Sequence, residues 1–228
     1  MKIPHYYLLD YLTQYDGDRS QGHWNATKMV SAIKGRQFKG YARLKLADGQ
    51  TKNYDSESAN ALATVVLNTL GQSKLPGAVT QPSLLVPIPN HDMTLVSGDD
   101  HKIIKTAQAV LNAYNRAENK PHNVTLWTGL RWKEVRPEAK STSGRRSPDV
   151  YDGKFGLKSQ PTEIPVILFD DVYTSGSQAK AAAKYLADQG VDVTAVVTVA
   201  KTTHEPSANA FEWRQGECEI EDDSTWDF

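Results

Sequence analysis

Twelve consecutive residues constrain this chain more than any others: Val166-Ile167-Leu168-Phe169-Asp170-Asp171-Val172-Tyr173-Thr174-Ser175-Gly176-Ser177. Four apolar residues run into two adjacent carboxylates. A short loop of small hydroxyl residues and glycine follows, and then a helical segment from Gln178 to Gln189. The apolar run follows Pro165 and is too short for a helix, so it reads as a buried strand. The turn at the carboxyl end of a parallel strand is where open α/β sheets bind ligands. A Thr/Ser/Gly loop entering a helix offers backbone N–H groups and hydroxyls to a phosphate. Gly176, lacking a Cβ, lets the backbone approach it closely. Two carboxylates just before the loop can accept hydrogen bonds from neighbouring hydroxyls, such as the 2′ and 3′ hydroxyls of a ribose. Strand, diacid and cradle together describe a ribose 5-phosphate site. The bland alternative is an ordinary strand–turn–helix in which Asp170 and Asp171 are turn and cap residues.

Composition bounds the rest. A chain of 228 residues is long enough for one well-buried domain or a domain with an appendage. The formal net charge of −1 gives no global pull toward nucleic acid or anionic membrane, so direct nucleic-acid binding is not indicated. Cys218 is the single cysteine, which excludes intrachain disulfides and multi-cysteine zinc sites. No apolar run approaches the ~20 residues of a membrane span, and Met1-Lys2-Ile3-Pro4-His5 lacks a signal-peptide core. The expectation is a cytoplasmic protein.

Along the chain, residues 6–12 are ambiguous between a strand and a short helix, and Asp16 to Gly22 reads as a loop. Asn25 is placed to cap a helix through Met29, Val30 and Ile33 that ends at Gly35. Residues 41–46 and 51–54 flank a hairpin turn, Ala47-Asp48-Gly49-Gln50. Asp55 or Ser56 caps a second helix closed by Gly71. Ser73 to Pro82 is a linker or surface loop. Then come a strand at Leu84–Ile88, a polar loop His91–His101, an amphipathic helix over 102–118 and a strand from Val124 to Leu130. A long polar segment, Arg131 to Gln160, precedes the diacid strand, and a last strand covers 192–199. The alternation predicts an α/β fold with a mostly parallel central sheet flanked by helices. The expected division is an N-terminal α+β hood (1–75), a core (76–205) and an acidic tail (206–228). The tail reads as a solvated segment or a docking segment for a basic partner.

The diacid stretch resembles the phosphoribosyl-diphosphate (PRPP) motif of type I phosphoribosyltransferases, with Tyr173 and Ser175 as departures from the family pattern. A closer resemblance is to the ComF-type phosphoribosyltransferases. It is carried by Ala32-Ile33-Lys34-Gly35, Val86-Pro87-Ile88-Pro89 and Arg145-Arg146-Ser147-Pro148-Asp149-Val150-Tyr151-Asp152-Gly153-Lys154-Phe155 in order. The N-terminal zinc-binding cysteines of that subgroup and the arginines after its Pro-x-Pro are missing here.

The resemblance implies a Rossmann-like phosphoribosyltransferase fold and a pentosyltransferase that binds PRPP or a nucleotide and acts at the ribose anomeric carbon. A nitrogen-base acceptor is implied and not identified. It implies Asp170 and Asp171 as catalytic residues and as Mg²⁺ ligands. Thr174, Ser175, Gly176, Ser177 and Tyr173 are implied at the ribose 5-phosphate, with Tyr173 either lining the base pocket or packing under the loop. Pro87, Ile88, Pro89 and Asn90 would form the pyrophosphate loop. Lys133, Arg136, Arg145 and Arg146 would sit on a lid. Asp99 and Asp100 read either as water-mediated Mg²⁺ ligands or as helix-capping acids. A homodimer or a protein partner fits the same reading. Two further readings stay open: a sensor of PRPP or nucleotide without turnover, and a partner-controlled effector of toxin-like or phage-defence type.

Overall fold

Strand β8 (Val166–Tyr173) lies near the middle of a six-stranded sheet of order β10-β1-β9-β8-β4-β5. The computed structural model describes residues 1–13, 15–45, 49–136, 148–161 and 163–220. The other strands of the sheet are β1 (Lys2–Leu12), β4 (Ser83–Pro87), β5 (Val124–Leu126), β9 (Val193–Thr203) and β10 (Phe211–Glu219). Pairing is parallel from β1 through β9, β8 and β4 to β5, and only the edge strand β10 runs antiparallel, against β1. The expected mainly parallel α/β sheet is present.

The β8 sequence shows why it takes this place. Val166 and Leu168 enter one apolar cluster, Ile167 and Phe169 the other, and all four are buried. A strand covered on both faces needs a continuous apolar run rather than an alternating one. On one face lie α1 (Gln21–Ile33), α2 (Ala59–Thr69) and α3 (Lys102–Asn115), with the hairpin β2 (Ala42–Lys45) and β3 (Thr51–Tyr54). On the other lie α4 (Ser177–Asp188) and the antiparallel pair β6 (Leu130–Trp132) and β7 (Phe155–Leu157).

Several expectations are corrected. Residues 2–12 form a full strand inside the sheet, with Leu8 and Leu9 buried, so the hood does not begin at residue 1. Residues 211–219 form β10, so the acidic tail is a sheet edge as far as Glu219; residues 221–228 lie outside the described residues. The strand anticipated from Val124 to Leu130 is two strands in different sheets. The polar segment 131–160 holds the β6–β7 pair, with Trp132 and Phe155 stacked at 4.1 Å. Ser20, not Asn25, caps α1 by accepting from the His23 N–H. Asn25 instead bonds the backbone of Arg43. Ser58 begins α2, bound by Asp55. Gly71 does not end that helix, which runs into a π-turn, Leu70–Lys74, packed against α3.

Candidate ribose-phosphate site

Both carboxylates lie at the carboxyl end of β8, and the loop after them turns directly into α4. Gly176 is the N-cap of α4 with φ of 76°, a left-handed conformation that costs glycine little. A Cβ there would collide with the Tyr173 hydroxyl and ring. The first turn of α4 carries no acid and Gly176 has no side chain to cap it, so the positive end of the helix faces the loop. The hydroxyls gather at the same place. Ser175 and Ser177 share a hydrogen bond of 2.9 Å, and Thr202 of β9 donates to Thr174 at 3.4 Å.

Tyr173 does not line this cradle. Its ring is buried, stacked on His5 at 4.0 Å, and forms the floor beneath the loop. Of its two possible roles, packing under the loop is the one realised; its expected contact with the ribose phosphate is corrected. His5 Nε2 lies 2.9 Å from Thr198 Oγ1, and the Thr198 hydroxyl donates to the Ala200 carbonyl. His5 therefore donates through Nε2, and its Nδ1 is buried without a partner among the described residues. Burial, aided by the charge of Lys201, pushes the His5 pKa down to about 3.

Asp170 and Asp171 differ in environment. The Asp171 N–H donates to Asp170 Oδ1 at 2.7 Å. Burial first, and the Asp171 charge second, raise the Asp170 pKa well above the carboxylate range. Asp171 is paired with Lys34 at 3.5 Å, both side chains about a quarter exposed. Lys34 is the C-cap of α1.

A cationic group converges on the diacid from separate elements. Lys102 opens α3, and its pKa is lowered by burial and by the charges of Lys34 and Arg36, while Asp171 opposes that shift. Gly35, at φ of 61°, lets this happen: a Cβ there would stand 2.9 Å from Lys102 Nζ. Sequence reasoning missed Lys102 and Arg36. The signals were a lysine in the first turn of a helix and a Lys-Gly-Arg run closing another.

The turn after β4 is placed beside the diacid but is not the expected donor loop. Pro87 and Pro89 have no N–H, and the Ile88 N–H donates to the Phe169 carbonyl at 2.8 Å. The Pro89 carbonyl accepts from Gln178 at 2.7 Å and from Trp132 at 3.1 Å. Asn90 is half-buried, and its carbonyl accepts from the Met93 N–H at 2.9 Å. Pro87 to Pro89 thus brace the cradle against α4 and the β6–β7 pair rather than hold a leaving group.

Arg136 of the expected lid is held by its own hairpin. Its guanidinium donates to the Val150 carbonyl at 3.1 Å and stands over the rings of Trp132 and Tyr151. Lys133 is exposed, its N–H bonded to the Lys154 carbonyl. Arg145 and Arg146 lie outside the described residues. Asp99 receives the fully buried Arg131, Lys158 at 3.3 Å and Thr128 at 3.4 Å, and Asp100 pairs with Lys105 at 2.6 Å. Both acids are matched by cations, which disfavours the metal reading for them. Among the described residues no three His, Cys, Asp or Glu side chains group as a metal site, and no helix is long and apolar enough to cross a membrane.

No protein-family model and no curated protein matches the sequence. Among solved structures the chain is similar to the orotate phosphoribosyltransferase from Aeropyrum pernix: 16% identity over 77% of this chain and 83% of that one, TM-score 0.34. It is also similar to the Mycobacterium tuberculosis H37Rv orotate phosphoribosyltransferase in complex with inorganic phosphate, at 15% identity, 77% and 94% coverage and TM-score 0.27. Neither is of the ComF type.

Proposed function

We propose that this chain is a phosphoribosyltransferase-like protein that binds PRPP or a nucleotide through its ribose 5-phosphate and acts at the anomeric carbon. One observation carries the reading. A left-handed glycine opens α4 three residues after Tyr173, and the diacid stands at the end of the same parallel strand. Cradle and diacid thereby follow one another on a single strand–loop–helix unit, in the order that phosphate and ribose follow one another on a sugar phosphate.

In this reading Thr174, Ser175 and Ser177, with the first N–H groups of α4, hold the 5-phosphate. Binding energy spent there positions the reacting carbon. Asp171 and Asp170 accept from the ribose hydroxyls and favour positive charge on the sugar as the anomeric bond breaks. Lys34, Arg36 and Lys102 supply the cationic surface for a diphosphate, in place of arginines after Pro89. The two adjacent carboxylates, without a third acid, suit Mg²⁺ that arrives on phosphate oxygens, since Mg²⁺ takes one or two carboxylates plus substrate oxygens. It would neutralise the leaving charge.

A second reading, a sensor that binds without turnover, is favoured by the Pro87–Pro89 turn, whose donors are spent or absent.

Thermal unfolding in the presence of PRPP, ribose 5-phosphate and nucleoside monophosphates, each with and without Mg²⁺, tests binding. Ligand at a hundredfold its Kd adds about 2.7 kcal/mol, a rise of roughly 5–10 °C for a chain of this size. If none of these compounds raises Tm, the ribose-phosphate reading fails. Pyrophosphate release from PRPP over a panel of bases then separates transferase from sensor.

A further inference from the structure

Between Arg19 and Ala47 the sequence holds seven lysines and arginines and no aspartate or glutamate, in a chain whose formal net charge is −1. The charge is therefore segregated, and the overall balance hides it. Two of these cations, Lys34 and Arg36, belong to the diacid site, and Lys39 lines a pocket with Phe38, Ser56 and Glu57. The rest gather, with two exposed aromatic rings, on a face formed by α1 and β2.

Asn25 joins the two elements. Its side chain donates to the Arg43 carbonyl at 2.8 Å and accepts from the Arg43 N–H at 3.0 Å, so β2 continues the outer face of α1. Strand alternation buries Ala42 and Leu44 and turns Tyr41, Arg43 and Lys45 outward. Thr51 and Asn53 of β3 stand opposite Lys45 and Arg43. From α1 come Trp24 and Lys28. Trp24 is 46% exposed and Tyr41 51%. Arg19 stands over the Trp24 ring at 5.2 Å, and Lys28 over the Tyr41 ring at 5.9 Å. Among the described residues none of Arg19, Lys28, Arg43 and Lys45 is ion-paired to a carboxylate.

We propose that this face binds single-stranded nucleic acid. Unpaired cations flanked by uncharged amide and hydroxyl groups track a phosphodiester backbone, and exposed aromatic rings between them stack unpaired bases. Duplex DNA hides its base faces and leaves the rings without a partner.

Fluorescence anisotropy of labelled single-stranded DNA and RNA of mixed sequence tests the proposal on the full chain. Saturable binding is expected at low salt. With four cations on the face, the logarithm of affinity should fall against that of salt with a slope of about −3. Trp24→Ala and Tyr41→Ala should each weaken binding about tenfold, and the pair Arg43→Glu with Lys45→Glu should flatten the slope, with circular dichroism unchanged. These positions are exposed, so the variants fold. Absence of binding, equal binding to duplex, insensitivity to all four substitutions, or displacement by PRPP would each overturn the proposal. Equal binding to polyglutamate would overturn it in favour of an acidic peptide.

Discussion

Lys34 Nζ stands 3.5 Å from Asp171 Oδ1, joining the last turn of α1 to the carboxyl end of β8. The pair links a helix of the N-terminal layer to the central strand, and it places the nearest cation at the carboxylate expected to meet the ribose. At 3.5 Å and with both side chains still partly in water, the pair contributes little to stability, so its removal is read in ligand binding.

Lys34→Ala should therefore leave Tm within about 1 °C. It should weaken PRPP roughly tenfold while ribose 5-phosphate changes less, because only PRPP places a diphosphate beside Lys34, Arg36 and Lys102. Isothermal titration with both ligands makes the comparison; equal losses for the two would remove Lys34 from the diphosphate end.

Asp170→Asn combined with Asp171→Asn should abolish turnover and keep the fold. The single change Asp170→Asn carries a pH signature. The folded pKa of Asp170 is raised, so the folded state binds this proton more tightly than the unfolded state. Its contribution is fully present below the unfolded value of about 3.8 and is lost as pH rises through the folded pKa. The variant should thus gain on the wild type as pH rises from about 4 toward neutrality. Thermal unfolding across that range measures the difference, which a constant offset would contradict.

His5 works with the opposite sign. Its pKa falls from 6.5 to about 3 on folding. The stability it contributes is present above the unfolded value and is lost as pH falls through 6.5 toward about 3. Between neutrality and pH ~4 this amounts to roughly 3 kcal/mol. His5→Gln should flatten the acid limb of the stability profile. A profile identical to wild type would mean that His5 is charged in the folded protein.

Gly176→Ala should destabilise by about 1–2 kcal/mol through its left-handed backbone and by more through the collision with Tyr173. Tyr173→Phe removes one of the colliding atoms. The double variant should then be more stable than the sum of the single effects, as denaturant unfolding of all four proteins would show.

The site was legible where its parts are consecutive. Residues 166–177 announce strand, diacid, loop and helix because each is local and each has its own period or composition. What stayed hidden depends on distant pairings. β1 was ambiguous because a register shift between Tyr7 and Leu9 breaks its alternation, leaving Leu8 and Leu9 both inward. β10 read as a tail because an edge strand needs only one buried neighbour, and Glu-Trp-Arg-Gln-Gly-Glu-Cys-Glu has the polarity of solvent. Its partner Lys2 lies at the other end of the chain. The Lys34–Lys102 convergence is invisible for the same reason: the end of α1 meets the start of α3 at Gly35, while both helices pack on α2, and no local pattern records this. The Pro87–Asn90 turn follows β4 as the sequence predicts, but its free donors cannot be counted from sequence, because the Ile88 N–H is spent on the Phe169 carbonyl of another strand.

Arg131 and Lys158 approach one carboxylate, that of Asp99, from the two flanks of the β6–β7 pair. Entry to and exit from the intervening excursion are thus fastened at a single point outside the main sheet. Once the ends are joined, added length between them costs mainly the entropy of closing a larger loop. A doubling of that length costs only about 0.6 kcal/mol. Between Lys133 and Lys154 the buried Tyr151 and the Arg136 guanidinium belong to the fastening itself, packed on Trp132, so a change that spares those contacts leaves the brace from Trp132 to Pro89 in place.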